Sequence, residues 1–342
     1  MYTYELKQYS KGRMTAMGVA AMLITWFHSH IVTQPGSFLY FLKNTGDIGV
    51  DMFMLASGVG MYFAVKKHRS YFSFLGSRLI RILPAYLMIS IPWYAYRDLH
   101  MGYGGYWEYF LDVTTLRFWL KGDLYCWFVP SILALYLVTP MYIRLVKKHT
   151  WMNPVCIVAV FLFGIVVRKT ALISIFGYLL LLISRIPTYL FGIYLGSAID
   201  EGRSFRIPVP AVLLGAVGLL TGAAYVCRMS VFDYILNYKF IVYPPMAVAL
   251  SLLCAKIPAN SLTDYFGKRS LEVYLVFEKA QEFLVNQRFM WPLLGKTQIL
   301  FTVIALALTL VVTEVLKFLS EVLTGRKNFW RSLTSVSGQS KM

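Results

Sequence analysis

Long apolar runs separated by short polar breaks recur along the whole 342-residue chain. A helix of about 20 apolar residues crosses a bilayer, so each run of this kind is a candidate span. The pattern predicts an all-α polytopic membrane protein, a bundle of about ten transmembrane helices. The predicted spans lie near residues 14–32, 47–65, 79–96, 125–143, 152–167, 186–199, 208–227, 234–255, 270–287 and 297–318.

The pattern is least regular over residues 171–199, where Arg185-Ile186-Pro187 interrupts a long apolar stretch. We interpret 171–184 as a membrane-associated segment on the outer side that leads into a short sixth span. An arrangement with eleven spans stays open.

Composition and charge agree with a membrane protein. Of the residues, 58% are hydrophobic and 14% are charged, unlike a soluble domain. A net charge of +17 would suggest nucleic-acid binding in a soluble chain, but here 21 of the 33 Lys and Arg fall in alternate polar breaks and at the chain ends. The positive-inside rule then places both termini in the cytoplasm of an integral plasma (inner) membrane protein.

The domain organisation is simple. The first apolar run is too long for a signal peptide and carries two histidines, so we expect a retained helix. Residues 1–320 are predicted to form one transmembrane domain, followed by a basic cytoplasmic tail over 321–342. The four cysteines are far apart and lack metal-ligand spacing, so no metal site is predicted.

Two ionisable residues fall at similar predicted depths in the first two spans. His28 lies about 22 Å along its helix from Arg13, and Asp51 lies equally far from Lys66. An ionisable residue inside a span is costly and suggests a function, although His28 could instead bond a carbonyl of a neighbouring helix. Asp51 could orient the imidazole for general-base catalysis. His30 lies about 200° around the helix from His28 and is expected to be interfacial.

A pair of arginines opens the third span. Arg78 and Arg81 are spaced i, i+3, so they share one helix face. Basic residues there could be orientation signals or contacts to lipid headgroups. They could equally bind a phosphorylated ligand, because guanidinium groups bind phosphate with two hydrogen bonds.

Six fragments in order resemble the acyltransferase 3 family of membrane-bound acyltransferases. They are GVAAMLITWFH, IGVDMFMLASGVGMYF, RLIRILPAY, CWFVPSILALYLVTP, RIPTYLFGIYLG and FGKRSLEVYLVFE. The resemblance covers nearly the whole chain. It assigns the family histidine to His28, the acidic pattern to Asp51, Phe53, Ser57 and Gly58, and the arginine pattern to Arg78, Arg81 and Pro84.

The resemblance implies an O-acyltransferase that moves an acyl group, expected to be acetyl, from cytoplasmic acyl-CoA to a hydroxyl of an extracytoplasmic glycan or cell-surface polysaccharide. It implies catalysis by His28 oriented by Asp51, with Arg78, Arg81 and Ser57 binding acyl-CoA. Many members carry an arginine where this chain has Met17 and a histidine where it has Phe277. Glu278, the next residue, is turned by about 100° on the helix, so we do not expect it to substitute.

The acceptor site is predicted on the outer side. Trp127, Arg185 and Glu108 are its candidate residues, and Arg185 could equally pair with an acidic residue. The aromatic and charged segment 97–124 could bind a sugar through Trp107, Tyr109, Trp119, Glu108 and Asp112, or form an interfacial aromatic belt. Structural pairing within the bundle is predicted for four charged residues of the ninth span, Glu272, Glu278, Lys279 and Glu282.

Two other functional classes remain open. A transporter or flippase of a lipid-linked or small solute would also use intramembrane His and Asp as a proton relay. The chain shows no inverted repeat and no matched pair of broken helices, which transporters commonly have. A scaffold without chemistry would leave the matched depth of His28 and Asp51 without a reason.

Overall fold

The computed structural model describes residues 4–35, 37–68, 70–205 and 231–325, and most of these residues are helical. A two-residue antiparallel pair joins β1 (Tyr4–Glu5) to β2 (Ser204–Phe205). The helices are α1 (Leu6–His28), α2 (Phe38–Asn44), α3 (Ile48–Lys67), α4 (Tyr71–Tyr94), α5 (Tyr106–Val113), α6 (Leu116–Lys121), α7 (Phe128–Lys148), α8 (Met152–Lys169), α9 (Ile173–Phe176), α10 (Leu180–Asp200), α11 (Val231–Cys254), α12 (Ser261–Lys268), α13 (Ser270–Val285), α14 (Trp291–Lys296) and α15 (Gln298–Leu323).

Six helical runs in the described part of the chain are long and apolar enough to cross a membrane. They are Phe38–Lys67, Tyr71–His100, Phe128–Lys148, Met152–Lys169, Ile173–Asp200 and Gln298–Leu323. The predicted first, eighth and ninth spans are also helical, as α1, α11 and α13. The predicted seventh span, 208–227, lies outside the described residues, as does most of the predicted tail. A multi-pass helical protein is therefore confirmed, while the count of ten and the side of the termini stay predictions.

The predicted break at Arg185-Ile186-Pro187 is wrong. These residues lie inside α10, and α9, a short 3₁₀ turn and α10 together form one run from Ile173 to Asp200. Pro187 removes only one backbone donor, which a membrane helix tolerates when its neighbours pack against it. Arg185 is only 4% exposed, and its charge is neutralised by Asp51 of α3 and by Asp47 just before α3, so it does not force the helix to end.

The contacts between residues divide the structure into two compact units. The first takes the chain up to Phe27, then Thr33–Phe74 and Trp127–Ser270. In this unit α3 packs along α10. A side chain at Gly58 would overlap the carbonyl oxygen of Tyr189, and one at Gly192 would overlap that of Leu55. Small residues at this crossing let the two backbones approach closely, so polar side chains of α3 and α10 meet directly.

The second unit takes His28–Val32, Leu75–Cys126 and the chain from Leu271. One of its apolar clusters packs Leu284 and Met290 against Phe301 and Ala305 of α15. In the same unit, α4 continues as a π-helical turn over Ala95–His100, followed by α5 and α6. The segment 97–124 is thus folded into short helices.

Candidate active site

His28 is the last residue of α1, and its imidazole is paired with a carboxylate. Its Nδ1 lies 2.5 Å from Oε1 of Glu278 on α13, and both side chains are about one-third exposed, at 33% and 31%. The imidazole therefore stands at the C-terminal end of α1, because the helix ends at His28. The site is therefore neither sealed in the core nor fully in solvent.

This geometry defines which ring nitrogen can do chemistry. A carboxylate at Nδ1 accepts its proton and fixes the tautomer, so Nε2 is the nitrogen that can take a proton from a substrate. The same carboxylate stabilises the imidazolium that forms when Nε2 is protonated. A histidine held in this way has the arrangement of a general base.

Asp51 takes part in a different group of residues, and the predicted pairing of Asp51 with His28 is corrected. Asp51 is fully buried, and its Oδ2 accepts a short hydrogen bond from Nη1 of Arg185. Its Oδ1 accepts from the hydroxyl of Thr188 at 3.0 Å. Both oxygens are therefore engaged by α10, and the carboxylate at His28 is Glu278. Glu278 was not expected in this role from its position after Phe277.

Arg185 is correspondingly an internal ion-pair residue. Its second guanidinium nitrogen donates to Oδ2 of Asp47 at 3.2 Å, and the hydroxyl of Tyr243 donates to the other oxygen of Asp47 at 2.9 Å. Of the two options that the sequence left open, acidic partners and an anionic acceptor, the structure contains the acidic partners. We call Asp47, Asp51, Arg185, Thr188 and Tyr243 the arginine cluster.

The arginine cluster has a structural consequence. Asp47 and Asp51 both contact the guanidinium of Arg185, and Arg185 and Asp51 are buried in the first unit. Buried charges are tolerated only when paired and hydrogen-bonded, so α3 is fixed in register against α10. The cluster therefore joins α3 to α10 and, through Tyr243, to α11.

Two further residues of α13 are buried, of which the sequence indicated only Lys279, as a paired charge. Lys279 is 3% exposed and donates to Sγ of the buried Cys126 at 2.9 Å, with its ammonium 5.1 Å from the ring of Tyr125. Gln281 is also 3% exposed and donates from Nε2 to the backbone oxygen of His28 at 3.0 Å. The charged residues of this span signalled buried pairing, but nothing in the sequence indicated a sulfur partner or the glutamine. No cluster of three or more His, Cys, Asp or Glu that could hold a metal ion occurs in the described ranges.

The predicted acyl-CoA residues lie on two helices. Arg78 and Arg81 stand three residues apart near the start of α4, where Arg81 is exposed and Arg78 is half-buried. Nε of Arg78 donates to the hydroxyl of Ser77 at 3.2 Å. Ser57 is half-buried on α3. Their role toward a donor substrate stays a prediction.

The predicted acceptor residues of the segment 97–124 are largely engaged internally. Glu108 accepts from Lys121 at 3.0 Å, and this contact holds the pKa of that carboxyl below its ordinary value. Oδ2 of Asp112 forms ion pairs with Nη2 of Arg97, at 2.7 Å, and with Nη1 of Arg117, at 3.0 Å. The carboxylates of Glu108 and Asp112 therefore form ion pairs within the segment 97–124 and stabilise its fold.

Aromatic rings supply the exposed part of this segment. Trp107 is 61% exposed and stacks on Phe110 at a centroid distance of 5.6 Å, which fits both a sugar platform and an interfacial belt. Trp127, at the start of α7, is half-buried, and its ring lies edge-on to Phe128. His30 is exposed, with its ring edge-on to Phe301 at 5.3 Å.

Comparison with known proteins adds one finding. The family described as an acyltransferase domain, acyltransferase 3, matches residues 18–317, a range that contains every residue of the histidine site and of the arginine cluster. Neither the curated proteins nor the solved structures gave a match.

Proposed function

We propose, because this chain belongs to the acyltransferase 3 family, that it is an inner-membrane O-acyltransferase acting across the bilayer. The donor is cytoplasmic acyl-CoA, with acetyl-CoA as the expected form, and the acceptor is a hydroxyl of an extracytoplasmic glycan or cell-surface polysaccharide. Family membership and the apolar helices support a multi-pass membrane acyltransferase. We further propose that the acyl group is acetyl, that the acceptor is a glycan and that the membrane is the inner membrane.

The pair of His28 and Glu278 carries the proposal. Nε2 of His28 removes the proton of the acceptor hydroxyl while its oxygen attacks the thioester carbonyl. The C–S bond breaks, the acyl group passes to the acceptor oxygen, and the CoA thiolate takes the proton back from the imidazolium. Glu278 stabilises that imidazolium between the two proton transfers. Because a thiolate leaves readily, positioning and proton removal are the main tasks of the protein.

Donor binding is assigned to the start of α4. Arg78 and Arg81 share one helix face, and two guanidinium groups in that arrangement match the phosphates of CoA. In the second unit, the exposed Trp107 offers an aromatic face to the acceptor, while Glu108 can bind the acceptor only if its bond to Lys121 breaks.

The decisive test uses purified protein, radiolabelled acetyl-CoA and crude cell-envelope fractions. Label should appear in one glycan-containing fraction with wild-type protein and should disappear with His28→Ala. The matched control is His30→Ala, which removes the same ring two residues away and should be nearly silent. Full activity in His28→Ala, or equal losses at His28 and His30, would contradict the assignment of the base.

The same assay separates the transporter or flippase alternative. A transporter would leave the acetyl group on CoA in every fraction, whatever the state of His28. Family membership favours acyl transfer.

A further inference from the structure

Gln281 has a buried side-chain amide beside the proposed base, and only its NH₂ group has a hydrogen-bond partner in the described residues. Its side chain is 3% exposed on α13, one turn after Glu278. Nε2 donates to the backbone oxygen of His28 at 3.0 Å. Oε1 is buried and has no hydrogen-bond partner in the described part of the chain. Buried acceptors of this kind are normally paired, so the second half of the amide needs an explanation.

The orientation of the amide is fixed by its neighbour. A backbone carbonyl is only an acceptor, so it can face the NH₂ group of Gln281 but not the amide oxygen. Exchanging the two atoms would set two oxygens against each other. Oε1 is therefore the atom that points away from the end of α1.

Support for the end of α1 explains the NH₂ group alone. The last carbonyls of a helix lack intrahelical donors, and Gln281 supplies one to His28. A residue that served only this purpose would not need a second polar atom in the same buried position. The oxygen points to a ligand that donates a hydrogen bond.

The position of the amide along α1 indicates which of the two substrates donates a hydrogen bond to Oε1 of Gln281. Side chains lean toward the N-terminus of their helix, so the His28 carbonyl lies beyond the imidazole as seen from the start of α1. The proposed acyl-CoA approaches from that start. In the proposed reaction, the amide bound to the carbonyl is thus on the side of the ring from which the acceptor enters.

We propose that Oε1 of Gln281 accepts a hydrogen bond from a second hydroxyl of the acceptor, next to the hydroxyl that gives its proton to His28. The inference rests on the proposed function and narrows its substrate class to a polyol with neighbouring hydroxyls, as on a sugar ring. A simple alcohol would leave the oxygen unpaired. Gln281 then selects which hydroxyl is placed against Nε2.

Three substitutions separate the two halves of the amide. Gln281→Glu keeps an acceptor oxygen and loses the donor to His28. Gln281→Lys keeps a donor and loses the acceptor. Gln281→Met loses both with similar volume. Each purified variant is assayed for transfer from labelled acetyl-CoA to the wild-type acceptor fraction, and CoA affinity is measured by calorimetry.

Gln281→Lys and Gln281→Met should lower kcat/KM for the acceptor by about two- to tenfold, the factor for one neutral hydrogen bond, mainly through a higher acceptor KM. Their CoA affinity should be unchanged, and Gln281→Glu should retain more activity than Gln281→Lys. Wild-type kinetics in Gln281→Lys would overturn the inference. So would equal losses in all three variants together with weaker CoA binding, which would make the residue purely structural. A wild-type protein that binds CoA but labels no fraction would count against the proposed function instead.

Discussion

Glu278→Gln tests the carboxylate that the structure places at His28. The substitution keeps the size of the side chain and an oxygen able to accept from Nδ1, which lies 2.5 Å from Oε1. It removes the negative charge that would stabilise the imidazolium formed during proton transfer. The tautomer is preserved, so the loss should be confined to the charged part of the interaction.

The expected magnitude follows from that difference. A hydrogen bond with a charged partner contributes about 1.5–3 kcal/mol and a neutral one about 0.5–1.5 kcal/mol. The change therefore costs about 1–1.5 kcal/mol in the transition state, which lowers kcat roughly five- to twelvefold. Because both side chains are about one-third exposed, solvent screening favours the lower end. Glu278→Ala removes the whole bond and should cost roughly ten- to 150-fold.

The assay is the initial rate of labelled acetyl transfer per folded protein, with CoA affinity measured in parallel. Glu282→Gln is the matched control, since it makes the same chemical change one turn further along α13, where Glu282 interacts with Tyr125. It should leave the rate within about twofold of wild type. A wild-type rate in Glu278→Gln would refute the assignment, and so would an equal loss in the control.

Three further predictions concern binding and stability. Arg185→Met removes the guanidinium that neutralises the buried Asp51 and pairs with Asp47, and should lower the free energy of unfolding by about 3–5 kcal/mol; an unchanged thermal midpoint in detergent would contradict the arginine cluster. Arg78→Ala or Arg81→Ala should weaken CoA binding by about 1.5–3 kcal/mol in calorimetry, and unchanged affinity in both would remove their assignment. Gly58→Ala should destabilise by about 1–3 kcal/mol through overlap with α10, whereas Gly76→Ala, with open space around it, should not; equal midpoints would show that the crossing can relax.

Apolar periodicity predicted where the helices lie, because the free energy of placing a segment in hydrocarbon depends on that segment alone. The predicted fourth and fifth spans, 125–143 and 152–167, correspond to α7 and α8 with shifts of a few residues. The helix prediction was wrong at the break near Arg185. A charge followed by proline ends a helix only when nothing nearby neutralises the charge, and the neutralising carboxylates are more than 130 residues away along the chain.

The sequence by itself determined that this is a multi-pass helical acyltransferase and that His28 is an ionisable residue near the end of the first helix. Tertiary structure decided which carboxylate serves that histidine. Depth along a helix follows from residue counting, but two carboxylates at suitable depths can be separated only by the rotation and packing of their helices. Close packing of α3 on α10 commits Asp51 to Arg185, and α13 brings Glu278 to His28. These pairings join residues far apart in the chain, so they cannot be predicted from local hydropathy.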